Sequence, residues 1–380
     1  MARFGLIPTF LGAIALAAVS AATAQGFDTP AKQALLLDYQ TGATLLAKNT
    51  DERMYPSSMT KMMTAHLLFE KLRDGSLSLD DTLPVSEKAW RKGGSKMFVE
   101  VGKNVRVENL IRGIVVQSGN DAAIVVAEGL AGSEDAFAEE MKATARDLGM
   151  TSSQFRNASG WPDPDHYTTA RDLALLAMAT IRQFPNFYRY YAEEVFTYNG
   201  IKQRNRNPLL TKSIGADGLK TGHTEAAGYG LAASAVRDGR RLVLVLNGMD
   251  SESQRATESE RIMAWGFREW NNYTLFKAGD SVIDAPVWLG ESPTVPLIMA
   301  EDLVLTLPRK ARQEMKVSVR FEEPIPAPIA RGAKVGTLVV TAPGAEPVEV
   351  PVQAGADVAV LSPLGRVAAA LEYLVWGGGE

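Results

Sequence analysis

The chain has 380 residues, no cysteine, three histidines (His66, His166, His223) and a formal net charge of −4. The missing cysteine excludes disulfides, thiol catalysis, Fe–S clusters and Cys-based zinc sites, and so few histidines leave little from which to build a metal centre. Neither H-E-x-x-H nor G-x-x-x-x-G-K-[ST] occurs, and the mild acidity argues against nucleic acid as a partner, because phosphate binding needs a basic surface.

The elements follow in chain order. Arg3 is the only charge among residues 1–24, residues 10–19 form an apolar run, and Ala22-Thr23-Ala24 supplies a small-x-small pattern. That is a signal peptide over 1–24, cut before Gln25; the run is too short to span a bilayer, and a retained anchor is the alternative reading. Export without cysteine leaves the fold to depend on its core. Residues 33–38 and 43–47 read as strands joined by a glycine-containing turn. Residues 59–72 read as a helix opened by Pro56-Ser57-Ser58, and helical periodicity returns at 107–116, 122–130, 134–148 and 170–183. Residues 231–235 and 242–246 are β-rich, with Arg237-Asp238-Gly239-Arg240 as a hairpin signal between them, and 251–270 reads as one long helix. Strands at both ends with helices between them predict an α+β domain over 25–275, its sheet closed by distant parts of the chain.

From residue 276 to 360 prolines multiply and short alternating runs appear at 303–307, 317–321 and 335–340. This is the pattern of a small all-β sandwich. The tail, 361–380, carries Leu364, Val367, Ala368, Leu371, Leu374 and Val375 at helical spacing, ending near Trp376. It fits either an in-plane membrane anchor or a helix packed on the β-rich domain.

Three short motifs carry candidate chemistry. Ser58-Met59-Thr60-Lys61 is an S-x-x-K at a predicted helix start. Residues three apart share a helical face, so Lys61 can reach the Ser58 hydroxyl, and a neutral lysine amine can serve a serine nucleophile as base. A helix cap with a surface lysine is the plain alternative. Ser118-Gly119-Asn120 lies between two helical patterns; a serine can relay a proton and an asparagine can hold a carbonyl or an amine, although a loop-and-cap run looks the same. Lys220-Thr221-Gly222 precedes a β-rich stretch. On a strand Lys220 and Gly222 face one way, glycine lets a ligand approach the backbone, and lysine with threonine suits a carboxylate; an ordinary edge strand is the alternative.

Taken together, in the order S-x-x-K, S-x-N, K-T-G, the motifs form the signature of the penicillin-recognising serine enzymes. The chain resembles the low-molecular-mass D-alanyl-D-alanine carboxypeptidases of the penicillin-binding protein 5/6 type. The resemblance rests on residues 55–64 (YPSSMTKMMT), 115–122 (VVQSGNDA), 166–172 (HYTTARD), 205–207 (NRN) and 217–224 (DGLKTGHT). It covers 33–270 closely and the β-rich region loosely.

The resemblance implies a periplasmic enzyme that trims the terminal D-Ala from peptidoglycan pentapeptides through an acyl-enzyme on Ser58 and is covalently inhibited by β-lactams. It implies Lys61 as general base, Ser118 as proton relay to the leaving amine, and Asn120 as orienter of Lys61 and substrate. Lys220, Thr221 and Arg255 would meet the substrate carboxylate, with Lys220 also helping to keep Lys61 neutral. The backbone N–H groups of Ser58 and His223 would form the oxyanion hole. No metal or cofactor is required. A β-lactamase shares all three motifs, but 157–176 contains no glutamate and no E-x-x-x-N that would position a deacylating water. A D,D-endopeptidase of the same superfamily and a non-catalytic envelope scaffold are the remaining alternatives.

Overall fold

The structure is a computed structural model that describes residues 27–376; the leader proposed over 1–24 lies outside the described residues. The hairpin of β1 (Gln33–Asp38) and β2 (Thr44–Lys48) leads through a 3-10 turn, Ser57–Thr60, into α1 (Lys61–Arg73). A mostly helical lobe follows. It holds β3 (Thr82–Pro84), α2 (Glu87–Arg91), β4 (Asn104–Arg106), α3 (Val107–Val115), α4 (Asn120–Ala131), α5 (Glu134–Asp147), α6 (Ala170–Gln183), α7 (Pro185–Tyr188) and the hairpin of β5 (Val195–Tyr198) and β6 (Ile201–Arg204). The chain returns through β7 (Ala216–Thr224), β8 (Gly228–Arg237) and β9 (Arg240–Met249) to α8 (Glu252–Glu269).

The main sheet has five strands in the order β2-β1-β9-β8-β7, and every neighbouring pair is antiparallel. The first hairpin is thus locked by a strand some two hundred positions downstream, with Leu36 opposite Leu244. The apolar residues on these strands are nearly continuous because both faces are covered. Leu35, Leu37, Val243 and Val245 pack with the helical lobe, while Leu36, Leu242, Leu244 and Leu246 pack with Ile262, Met263 and Phe267 of α8. The turn between β8 and β9 places Asp238 and Gly239 both at positive φ, +52° and +77°, which is what a two-residue hairpin needs.

The fold departs from the sequence reading at the start of the first long helix. It opens as a 3-10 turn, with Met59 N–H donating to the Pro56 carbonyl, and the α-helix begins only at Lys61. In 3-10 geometry side chains three apart eclipse, which stacks Ser58 directly over Lys61.

The second part is β-rich throughout. β10 (Trp270–Phe276) pairs with β13 (Leu303–Pro308). β11 (Ser281–Trp288), β12 (Thr294–Met299), β14 (Lys316–Phe321), β15 (Ile325–Pro326), β16 (Lys334–Ala342) and β17 (Ala345–Ala354) form a second sheet, ordered β14-β16-β17-β12-β11-β15. The two close over Ala285, Val295, Leu297, Leu305, Leu338 and Val352. The architecture is therefore an α+β domain followed by a small β-rich one. Helix α9 (Pro363–Trp376) ends the described chain, with Leu364 at 85% and Val367 at 59% exposure.

Candidate active site

The site forms where the start of α1, the start of α4 and the free edge of β7 converge. Ser58 and Lys61 come from the first, Ser118 and Asn120 from the second, and Lys220, Thr221 and His223 from the third. Two glycines permit the close approach. A Cβ on Gly222 would fall 2.8 Å from the Pro56 carbonyl oxygen, and one on Gly160, which has φ +76°, would fall 1.7 Å from the Ser57 carbonyl oxygen. Any side chain there would push β7 or the 157–161 loop away from the nucleophile turn.

Lys61 is fully buried. Its Nζ lies 3.0 Å from Ser58 Oγ and donates to Asn120 Oδ1 and to the Ser159 carbonyl, both at 2.7 Å. A neutral amine has two N–H bonds and one lone pair. With the N–H bonds taken by Asn120 and Ser159, the lone pair faces the Ser58 hydroxyl. Burial, followed by the positive charge of Arg206, pushes the Lys61 ammonium down to about 7. The amine is therefore substantially neutral near neutral pH and fit to accept a proton.

Its partners are themselves fixed. Asn120 Nδ2 donates to the Gly93 carbonyl at 2.9 Å. The Asn157 side chain accepts from the N–H groups of Ser159, Gly160 and Trp161, and Thr64 Oγ1 donates to the Ala158 carbonyl at 2.6 Å. Glu134 Oε1 accepts from Ala158 N–H at 3.2 Å, and its other oxygen pairs with Lys88. The fully buried carboxylate of Asp121 takes the N–H groups of Met97, Phe98 and Val99 at 2.8, 2.8 and 3.2 Å, which holds the 93–99 loop against α4.

Ser118 sits at φ +62°, and its buried hydroxyl makes no hydrogen bond to the protein. It lines a polar cleft of about 360 Å³ together with Ser58, Arg206, Thr221, His223 and Arg255. Lys220 lies just beneath, 2% exposed, donating to the Thr221 carbonyl at 3.0 Å; burial, then the charges of Lys61, Arg206 and Arg255, hold its ammonium well below the ordinary range. Arg255 is buried to 3% exposure and its Nε has no partner. Arg206 and Arg255 line the cleft with Glu252, whose carboxylate accepts from Arg255 Nη2 at 2.9 Å, so two guanidiniums face one carboxylate and the net positive lining suits an anion. The His223 ring is exposed and stacks on Tyr229 with centroids 3.9 Å apart. His166 is internal: it accepts from Arg156 N–H at Nδ1 and contacts Thr60 through Nε2, and burial lowers it to about 4.

Of the eight residues named from the sequence, Ser58, Ser118, Thr221, His223 and Arg255 line the cleft, and Lys61, Asn120 and Lys220 are buried. Sequence reasoning missed Asp121, Glu134, Asn157 and the Ser159 carbonyl, and it left Arg206 inside a motif without a role. Asp121 directly follows Asn120 in the second block, the one signal available for it. Among the described residues no cluster of His, Asp or Glu could hold a metal ion.

Serine enzymes of the penicillin-recognising class pair a serine with a buried lysine between a helical lobe and a sheet edge in this way, and the fold and cleft place the chain in that class. Comparison with known proteins narrows the class. The chain belongs to the D-alanyl-D-alanine carboxypeptidase family, which it matches over residues 18–251, and residues 270–360 match the C-terminal domain of penicillin-binding protein 5. It is 39% identical over 316 residues to the D-alanyl-D-alanine carboxypeptidase DacA of Escherichia coli, covering 81% of this chain and 78% of that one. Penicillin-binding protein 5 from Haemophilus influenzae superposes with a TM-score of 0.78 at 35% identity, covering 88% of this chain and 99% of that one. The carboxypeptidase DacD from Francisella tularensis gives a TM-score of 0.81 at 32% identity, with 93% and 100% covered. The chain is a serine-type D-Ala-D-Ala carboxypeptidase.

Proposed function

We propose that Ser58 is the nucleophile that removes the terminal D-Ala from peptidoglycan stem pentapeptides. The single observation that carries this is the 3.0 Å contact of Lys61 Nζ with Ser58 Oγ, with the other two polar contacts of the amine already committed. The peptide lies along the free edge of β7, its C-terminal carboxylate met by Thr221, Lys220, Arg206 and Arg255. Ser58 Oγ attacks the carbonyl carbon of the penultimate D-Ala while Lys61 takes the hydroxyl proton. The backbone N–H groups of Ser58 and His223 receive the oxyanion. The C–N bond breaks, Ser118 passes a proton to the departing amine, and D-Ala leaves. Water then cleaves the ester and restores Ser58. A β-lactam would enter the same way and remain as an ester on Ser58.

The test is Ser58→Ala. The variant should release no D-Ala from diacetyl-Lys-D-Ala-D-Ala and take no label from a fluorescent penicillin. Retention of either rejects the assignment.

We further propose that the enzyme is exported by its 1–24 leader, works in the periplasm and rests on the outer face of the inner membrane through α9. The leader pattern supports the first step. The exposure of Leu364 and Val367 supports the last, since a helix packed on the β-rich domain would cover them. Among the described residues no helix is long and apolar enough to cross a membrane. Deleting 361–380 should move the protein from the membrane to the soluble fraction; unchanged partition rejects the anchor.

A further inference from the structure

Beside the catalytic cleft lies a second cavity, of about 280 Å³. Its walls are apolar: Tyr55, Pro56, Trp161, Pro162, Pro164 and Ala226. Tyr55 and Trp161 are each 42% exposed although they are among the largest apolar side chains of the domain. Asp163 is its one carboxylate, and the His166 imidazole on its floor is held neutral by burial. Ser57 and Thr224, whose hydroxyls are 3.2 Å apart, line the apolar cavity, and their chain neighbours Ser58 and His223 line the polar cleft.

β7 and the turn that follows it link the two cavities in a fixed order. Thr221, Gly222 and His223 line the polar cleft, whereas Thr224 and Ala226 line the apolar cavity. A strand advances about 3.3 Å per residue, so a peptide running along this free edge advances at the same pace. With the penultimate carbonyl at the His223 N–H, as in the reaction above, the residue third from the C-terminus lies one step further along and arrives beside Thr224, at the mouth of the apolar cavity. In peptidoglycan stem peptides that position holds a diamino acid, whose side chain is a run of methylenes ending in an ammonium, alone in lysine and beside a carboxylate in diaminopimelate. We propose that the cavity is a subsite for this methylene stem, packed between Trp161, Tyr55 and the prolines with its polar end at the solvent rim. The subsite rests on the Ser58 reading above, because that reading sets the direction of the peptide. It makes Trp161 and Ala226 specificity-determining residues.

The experiment measures kcat/KM for D-Ala release from acetyl-X-D-Ala-D-Ala peptides with X as L-alanine, L-norleucine, L-lysine or meso-diaminopimelate. The wild type should favour the three long side chains over alanine by about tenfold, the scale of two buried methylenes. Norleucine, which has the stem without the amine, should come within about threefold of lysine. The larger of the lysine and diaminopimelate values names the side chain the cavity suits. Trp161→Ala removes one wall. Ala226→Phe plugs the cavity from an exposed turn and leaves the buried core untouched. In both variants the ratio of long to alanine substrates should fall to about one. A merely structural role would lower all four peptides together and leave the ratio intact. That result, or a wild type that treats alanine as well as the others, or a norleucine value near that of alanine, overturns the subsite. Labelling by fluorescent penicillin separates the two readings: if Ser58→Ala still takes label, the nucleophile assignment fails, and if both subsite variants take label normally with an unchanged ratio, the subsite alone fails.

Discussion

At the residue scale the central fact is one buried amine. Lys61 has its ordinary value lowered to about 7 because burial and Arg206 both oppose its charge. The form that accepts a proton is the neutral one, so the acylation limb of kcat/KM should fall about tenfold per unit as pH drops below about 7 and level off above it. A profile flat down to pH 5 would contradict Lys61 as base. Arg206→Gln removes a positive charge near the amine, so the Lys61 value should rise and the limb should move to higher pH. KM should increase as well, because Arg206 also lines the cleft, but only the movement of the midpoint reports on Lys61. The Ser58–Lys61 pair was legible in the sequence because its spacing is local. The Ser159 carbonyl was not, since any residue supplies a carbonyl and only the folded 157–161 loop carries this one to Lys61.

At the element scale the site depends on loops pinned to helix ends. Asp121, in the first turn of α4, holds three consecutive N–H groups of the 97–99 segment and is fully buried. Asp121→Ala would leave those donors without acceptors, at a cost of about 3 kcal/mol read as a fall in Tm, with slower acylation as the loop loosens behind Asn120. Gly160→Ala meets two penalties at once, a positive φ and a Cβ inside the Ser57 carbonyl. It should lose about 2 kcal/mol or more and most penicillin labelling, whereas Gly102→Ala, also at positive φ but with no atom within 4 Å, should cost about 1 kcal/mol and keep its labelling. Most helices could be read from periodicity to within a residue or two. The opening of the nucleophile helix could not, because its 3-10 turn lies against β7 and the 157–161 loop, and these neighbours come from far along the chain.

At the scale of the whole molecule, Asp38 ties three regions together. It is fully buried at the end of β1, accepts from Arg240 Nε at 2.8 Å and from the N–H groups of Gln40 and Thr41, and takes a hydrogen bond from Asn272 Nδ2 in β10 at 3.1 Å. Asn272 in turn accepts from Thr306 of β13 at 2.9 Å. Asp38→Ala would strand the Arg240 cation and should destabilise the protein by about 3–5 kcal/mol, with calorimetry showing the catalytic and β-rich parts both affected. A change confined to one part would mean that the junction is not coupled. The sequence showed a composition shift near residue 276 but not this tie, because Asp38 and Asn272 meet only once the sheet has closed.

The junction itself has no linker. Glu269 is the last residue of α8 and Trp270 the first of β10, and the Trp270 carbonyl accepts from Arg240 while the Glu269 carbonyl accepts from Arg309 N–H. A protease must draw an extended, locally unfolded stretch of chain into its cleft before it can cut. Here such a stretch can be freed only by breaking the catalytic sheet's own anchor. Limited digestion should therefore never yield a free catalytic fragment; the first cuts fall near the start of α9, where Leu364 and Val367 are exposed, and leave a trimmed chain with both parts still joined.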